Sequence, residues 1–315
     1  MSGEYTGVLD SVPSLLNYTY DTVCGREDVE IPTEYILPKD RIPDCRDQKK
    51  TNTCVPHAIT GVMQILYYIE SDEWEQFSPT FVTAACRPKE QRTMKSSVTD
   101  TALNYLTKIG CCFTKDLPEI MENPEAFDYV YAHPELFEKA NEHKLGWYAE
   151  FTGSKEDKIE QIKEAIIRFQ IPVVAVVKEK TSSHAIDIIG WNDAQGRFIV
   201  MNSWGDRGGA KGVDSYSYKD FKRGYLIMGI GNTDINLMPF EDVNQDKWYY
   251  KAIKHMYNAG LVRGTSDNAF EPERNMTRAE FTQGLYNLCI KQDEENKALS
   301  DRIAELEEIV KKLKE

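Results

Sequence analysis

The sequence lacks several things. Its 315 residues hold no apolar run near the ~18–20 that a membrane-spanning helix requires. Positive charge is not in excess: 38 Lys and Arg face 51 Asp and Glu, a formal charge of −13. So acidic a chain is a poor ligand for nucleic acid or an anionic bilayer, and neither partner is expected. Cysteine is sparse: seven residues, at 24, 45, 54, 86, 111, 112 and 289, odd in number and without a CxxC. No grouped metal ligands follow, so no metal or cofactor is expected. The opening Met1-Ser-Gly-Glu-Tyr-Thr-Gly7 has no basic start followed by an apolar stretch, so no secretory signal is read. The expectation is a chain that is cytoplasmic as synthesised, with most thiols reduced and buried and at least one available as a nucleophile.

What is present points to a folded protein of two or three domains, with 41% hydrophobic and 11% aromatic residues. Residues 1–30 are polar and aperiodic, an extension that covers something or is loose. Residues 31–235 alternate helical and strand patterns, 239–289 form a compact aromatic-rich helical module, and 291–315 read as a long charged helix. Val55, Ala58, Ile59, Val62, Leu66 and Ile69 give residues 54–70 one apolar helical face, with Pro56 tolerated in the first turn. A second amphipathic helix spans 155–169. Residues 171–177 form a buried strand, 184–191 and 197–201 a hairpin about a turn at 192–196, and 224–230 a closing strand. Helices first and strands after predict an α+β domain with two lobes.

Cys54 then stands at a helix N-terminus, where exposed N–H groups and the helix dipole favour a thiolate. A thiol nucleophile needs a base, and the base an orienting group. His184 at a strand start and Asn202 on the neighbouring strand are the candidates. Gln48, six residues before Cys54, is placed to donate an amide N–H to an oxyanion. His57, one turn after Cys54, has nothing nearby to orient it and is assigned to packing or the cleft rim. The tandem Cys111-Cys112 is read as core.

These residues resemble the papain-like cysteine peptidases. There a Gln precedes the nucleophile by six residues, the base begins an H-A-φ-φ-φ-φ-G-aromatic strand (here His184–Trp191), and the orienting Asn opens an N-S-W-G motif (here Asn202–Gly205). His184 lies 130 residues and Asn202 148 residues beyond Cys54, within the family's spacing. The resemblance covers residues 31–230. It implies a helical lobe carrying Cys54, a barrel-like β lobe carrying His184 and Asn202, a cleft between them, and hydrolysis of peptide bonds. The family's CGSCWAF is replaced by Thr51-Asn-Thr-Cys54-Val-Pro-His57, which removes the cysteine of a common disulfide, and the long helical prodomain has no counterpart within residues 1–30. That segment is a candidate short inhibitor of the cleft. Trp204 is expected to shield the His184–Asn202 pair from water.

In 239–289, Trp248-Tyr-Tyr250, Gly260-Leu-Val-Arg-Gly264 and Thr277-Arg-Ala-Glu280, with a helix capped by Thr277 and Glu280, resemble an S-layer homology module. The resemblance implies binding of secondary cell-wall polysaccharide, with Arg278 meeting anionic groups of the polymer and Trp248 lining the groove. Structural roles are the alternative: Trp248 in the core, Arg278 paired with an acid. Asn296, Leu299, Ile303, Leu306, Val310 and Leu313 step by three and four, an a/d heptad pattern. This predicts a coiled-coil homo-oligomer, a trimer with the dimer as alternative; the competing arrangement is a helix folded back on its own chain.

The leading expectation is a cysteine endopeptidase carrying a wall-attachment module, bacterial or phage-encoded, reaching a cell surface after release. Two others compete: a wall amidase or transglutaminase-like enzyme, which the N-S-W-G motif disfavours, and a catalytically silent assembly protein, which the complete Gln48, Cys54, His184 and Asn202 set disfavours.

Overall fold

The computed structural model describes residues 8–9, 18–24, 29–118, 120–180, 182–205 and 210–231, and most positions from 240 to 289. The expected coiled coil at 291–315 and most of residues 1–30 lie outside the described residues. The chain divides into a large unit, Gly25–Ile235 with Met1–Val12 and Thr19–Asp21, and a small one built on Asn236–Glu315.

In the large unit the strand Glu34–Ile36 precedes the longer helices, against the expected order. They are α1 (Cys54–Ser71), α2 (Pro79–Ala85), α3 (Thr99–Ile109), α4 (Glu125–Ala132) and α5 (Glu135–Asn141), followed later by α6 (Lys155–Phe169). The expected single apolar face of α1 is a correction: every residue from Cys54 to Leu66 is buried, including His57, Thr60 and Gln64. Helices and sheet enclose it, so its polar side chains are absorbed by internal hydrogen bonds rather than by solvent. Thr60 Oγ1 donates to Pro56 O at 2.8 Å. Gln64 Nε2, Gln76 Nε2 and Trp74 Nε1 all donate to Asp44 Oδ2, at 2.8, 2.8 and 3.1 Å. Helix α1 stops where Asp72 adopts φ 58° and its N–H closes on Tyr68 O.

The strands are β1 (Glu34–Ile36), β2 (Leu145–Glu150), β3 (Val173–Glu179), β4 (Ser182–Asn192), β5 (Arg197–Met201), β6 (Val213–Ser217) and β7 (Phe221–Ile230). They form an antiparallel sheet in the order β2-β7-β3-β4-β5-β6. Strand β4 is long enough for two neighbours on one edge: β3 covers residues 182–188 and β1 covers 190–192. On its other edge the register against β5 slips between Ile188 and Gly190, and Gly190 lies so close to β1 that a Cβ there would sit 2.2 Å from Tyr35 O. Val173–Val177 are all buried, as expected of a β-branched central strand covered on both faces. Helix α6 begins with a capping box, Ser154 Oγ accepting from Asp157 N while Asp157 Oδ2 accepts from Ser154 N. Helix α1 packs against β4, β7 and β3.

In the small unit Phe240, Val243, Tyr250 and Ile253 form the core, with Tyr249 and Phe270 packed on it. Asp242 ties two segments together, its carboxylate accepting from Phe270 N at 2.9 Å and Glu271 N at 2.6 Å. The capping box is present: Thr277 N donates to Glu280 Oε2 at 2.7 Å and Glu280 N to Thr277 Oγ1 at 3.2 Å.

Candidate active site

Two loops distant in sequence are zipped together here. The strand-like stretch 46–48 leads into α1; the stretch 203–205 follows β5. Gln48 N donates to Ser203 O and Gly205 N to Arg46 O, both at 2.8 Å, with Asp47 and Trp204 bridged between them. Gly205 turns at φ +57°, with the Asp47 side chain against its α-carbon. This pairing places Gln48 beside the Asn202–Ser203 corner.

His184 on β4 is fully buried, and its Nε2 lies 2.8 Å from Asn202 Oδ1. The same oxygen accepts from Ser203 N at 2.8 Å, which identifies it as the carbonyl end of the amide. His184 Nε2 must therefore be the donor. In the neutral ring Nδ1 is then the proton acceptor, and it is buried with no hydrogen-bond partner among the described residues. Trp204 stacks on the imidazole, centroids 4.4 Å apart and planes 19° from parallel. This is the cover expected of it. Burial holds an isolated His184 imidazolium down to about 4, opposed by the bond to Asn202.

Gln48 is fully buried and its amide is oriented at both ends: Oε1 accepts from Ser203 Oγ, and Nε2 donates to Thr51 O, each at 2.6 Å. Nε2 thus faces the turn that leads into Cys54. Cys54 is buried at the first position of α1, after Thr53. The sequence-predicted Gln48, His184 and Asn202 are brought together through Ser203, and Cys54 begins the helix that packs on His184's strand. Ser203 itself was not anticipated; its place inside N-S-W-G was the available signal.

His57 belongs to packing and not to a rim. It is 2% exposed, its Nδ1 lies 2.8 Å from Thr53 O, and burial holds its pKa down to about 3. Cys86, Cys111 and Cys112 are buried, and burial raises all three thiols, Cys112 to about 12. They are inert core, as read for the tandem pair. Cys45 and Cys289 are exposed.

In the small unit Trp248 is 89% exposed, which excludes a core role. Arg278 is exposed and pairs with no acid among the described residues; the nearby pair is Arg274 with Glu280, at 2.6 Å. Arg278 lines an open depression with Ala279, Thr282, Gln283 and Tyr286. Trp248 does not line that depression, so the structure does not bring these two candidates together. No described helix is long and apolar enough to cross a membrane.

The large unit has the fold of the papain-like cysteine proteases. Xylellain, a cysteine protease from Xylella fastidiosa, superposes with a TM-score of 0.58 at 16% identity, over 72% of this chain and 96% of that one. Procathepsin B S9 from Trypanosoma congolense gives 0.56 at 16% identity, over 73% and 87%. The cysteine protease and lectin-like domains of Cwp84, a surface layer associated protein of Clostridium difficile, give 0.54 at 17% identity, over 73% and 57%. Residues 239–282 match the S-layer homology domain. The chain is also 40% identical over 61 residues to an endoglucanase of Bacillus sp. (strain KSM-635), a stretch that is 18% of this chain and 6% of that enzyme. The protein is thus a papain-like fold joined to an S-layer homology domain.

Proposed function

We propose that this protein is a cysteine endopeptidase acting through Cys54, His184, Asn202 and Gln48. The observation that carries the reading is the oriented histidine: Nε2–H donates to Asn202 Oδ1 and Trp204 covers the ring, so Nδ1 is left as the basic nitrogen. Cys54 Sγ–H gives its proton to His184 Nδ1. The two charges form together and are each other's counterion, with the α1 N-terminus favouring the thiolate. The thiolate attacks the peptide carbonyl carbon, and the oxyanion is held by Gln48 Nε2 and the Cys54 backbone N–H. His184 then protonates the leaving amine and activates the water that releases the acyl group.

The test is labelling with an epoxysuccinyl or vinyl-sulfone peptide at neutral pH. Labelling of the wild type that is lost in Cys54→Ala and His184→Ala is the expected result. An unlabelled wild type, with or without residues 1–30, refutes the reading.

The N-terminal segment is read as an inhibitory strand. The backbone of Val8–Leu9 pairs in parallel with Ser97–Val98 and lies against β4, the strand of His184. The Ser97–Val98 edge is itself held by buried Arg87, which donates to Met94 O at 2.6 Å and Ser97 Oγ at 2.8 Å. Removal of residues 1–30 should raise the rate of peptide hydrolysis; an unchanged rate sinks this part of the reading. The S-layer homology domain is read as the wall anchor, binding secondary cell-wall polysaccharide through Arg278 in its depression, with the exposed Trp248 as a separate point of contact. Retention on purified Gram-positive walls, lost after the polysaccharide is stripped, is the expected outcome.

A further inference from the structure

Beside Asn202 and Ser203, between α1 and β4, lies a small pocket of about 10 Å³. Its walls include Arg46, His57, Gly61, Asp187 and Asn202. Four of these side chains carry a buried polar atom with no hydrogen-bond partner among the described residues: Arg46 Nε, His57 Nε2, Asp187 Oδ1 and Asn202 Nδ2. Buried polar atoms are costly to leave unpaired, so four around one pocket demand a common partner.

The hydrogen-bonding capacity of each atom is fixed by its surroundings. Thr53 O can only accept, so His57 Nδ1 carries the ring proton and Nε2 offers a lone pair. Burial keeps that ring neutral. Arg46 spends Nη1 on Thr60 Oγ1 at 2.8 Å and Phe77 O at 3.1 Å, and Nη2 on Gln64 Oε1 at 3.4 Å, which leaves Nε–H as its donor into the cavity. Burial raises the Asp187 carboxyl and the Arg46 guanidinium opposes that rise; as the carboxylate, Oδ1 accepts. With Arg46 Nε–H and Asn202 Nδ2–H as donors and His57 Nε2 and Asp187 Oδ1 as acceptors, the set is the complement of a water molecule, which accepts twice and donates twice. The volume suits a single water. The Arg46 guanidinium argues against a cation here and the Asp187 carboxylate against an anion.

The placement bears on the site. His57 stands one helical turn after Cys54. Asp187 lies three residues after His184 and is paired across the sheet with Met201, the residue before Asn202. The Asp187 carboxylate presses so close to α1 that a Cβ on Gly61 would lie 2.6 Å from Oδ2. We propose that the pocket binds one internal water, held by Arg46 Nε, His57 Nε2, Asp187 Oδ1 and Asn202 Nδ2, and that Arg46, His57 and Asp187 are positioning residues which set the cysteine-bearing helix against the histidine-bearing strand. The positioning half of this inference rests on the peptidase reading; the water does not.

Two arms test it. A wild-type crystal structure at about 1.8 Å should show one water peak within hydrogen-bonding distance of all four atoms. An empty cavity, or direct closure of Arg46 on Asp187, overturns the proposal, and this arm stands even if the thiol proves unreactive. The second arm is kinetic. His57→Phe keeps the ring's bulk without its nitrogens and should lower kcat about tenfold to a hundredfold with KM within about twofold, and slow alkylation of Cys54 by iodoacetamide in parallel. His57→Gln, which returns an acceptor to the cavity, should recover most of that loss. A folded His57→Phe with wild-type kcat, or a His57→Gln no better than Phe, overturns the positioning role. A His57→Phe chain that does not fold leaves the decision to His57→Gln measured against wild type and to the density. A wild-type thiol that resists both alkylation and the peptide probe refutes the peptidase reading and the positioning role together.

Discussion

His57 gives the most quantitative handle on this fold. Its folded pKa is held to about 3 by burial, against an ordinary value of 6.5. At pH 5 the folded ring carries no proton, whereas the same ring in the unfolded chain is almost fully protonated. The unfolded state binds more protons, so stability falls as pH falls, beginning near pH 6.5 and continuing to about pH 3. Between pH 7 and pH 5 the single ring removes about 2 kcal/mol, from the ratio of the unfolded state's proton-binding factor, one plus ten to the power of pKa minus pH, at the two pH values. His184, held to about 4 by burial, acts with the same sign. It is present in wild type and in His57→Phe alike and cancels in their difference. The measurement is urea unfolding of both proteins at pH 7 and pH 5. The wild type should lose about 2 kcal/mol more than His57→Phe over that interval. Equal losses would refute the argument, since they would mean that His57 titrates alike in both states.

Four further outcomes are expected. Gln48→Ala, which removes an oxyanion donor, should lower kcat by roughly 10²–10³ with little change in substrate binding, read from initial rates on a peptide substrate. Asn202→Ala frees the imidazole to turn and should cost about 10²-fold in kcat, while Asn202→Gln, one methylene too long, should not restore it. Arg278→Ala should weaken retention on wall material at low salt while leaving peptide hydrolysis unchanged, as a sedimentation assay would report. Deletion of 291–315 should reduce the solution mass by light scattering from that of two or three chains to one; an unchanged mass removes the coiled-coil expectation.

The parts of the fold that are written locally were legible in the sequence. Periodicity located α1 and α6, and two strand-forming runs about the turn at 192–196 located the β4–β5 hairpin, because each pattern is set by the residue's own neighbours. The linear order of Gln48, Cys54, His184 and Asn202 carried the site. The zip between 46–48 and 203–205 was not legible, since backbone pairing across more than 150 residues leaves no periodic trace. Nor were Arg46 and Asp187: charged residues in a mixed pattern read as surface, and only the crossing of α1 over β4 at Gly61 makes them interior. The same enclosure explains why one apolar stripe was read on α1 where the helix is buried on every side through Leu66.

The zipped loops have a consequence for how the site fails. The amides of Gln48 and Gly205 are held by the same short ladder that presents the proposed oxyanion donor on one rail and the hydrogen-bond partner of His184 on the other. Any fluctuation that parts those rails dismantles both at once. Activity should therefore vanish in a single step with local opening, and the two amides should exchange with solvent deuterium at one shared rate, slower than the surface turns and set by the free energy of parting the rails. In that sense the catalytic apparatus is one unit of unfolding, and no half-assembled form of it would persist.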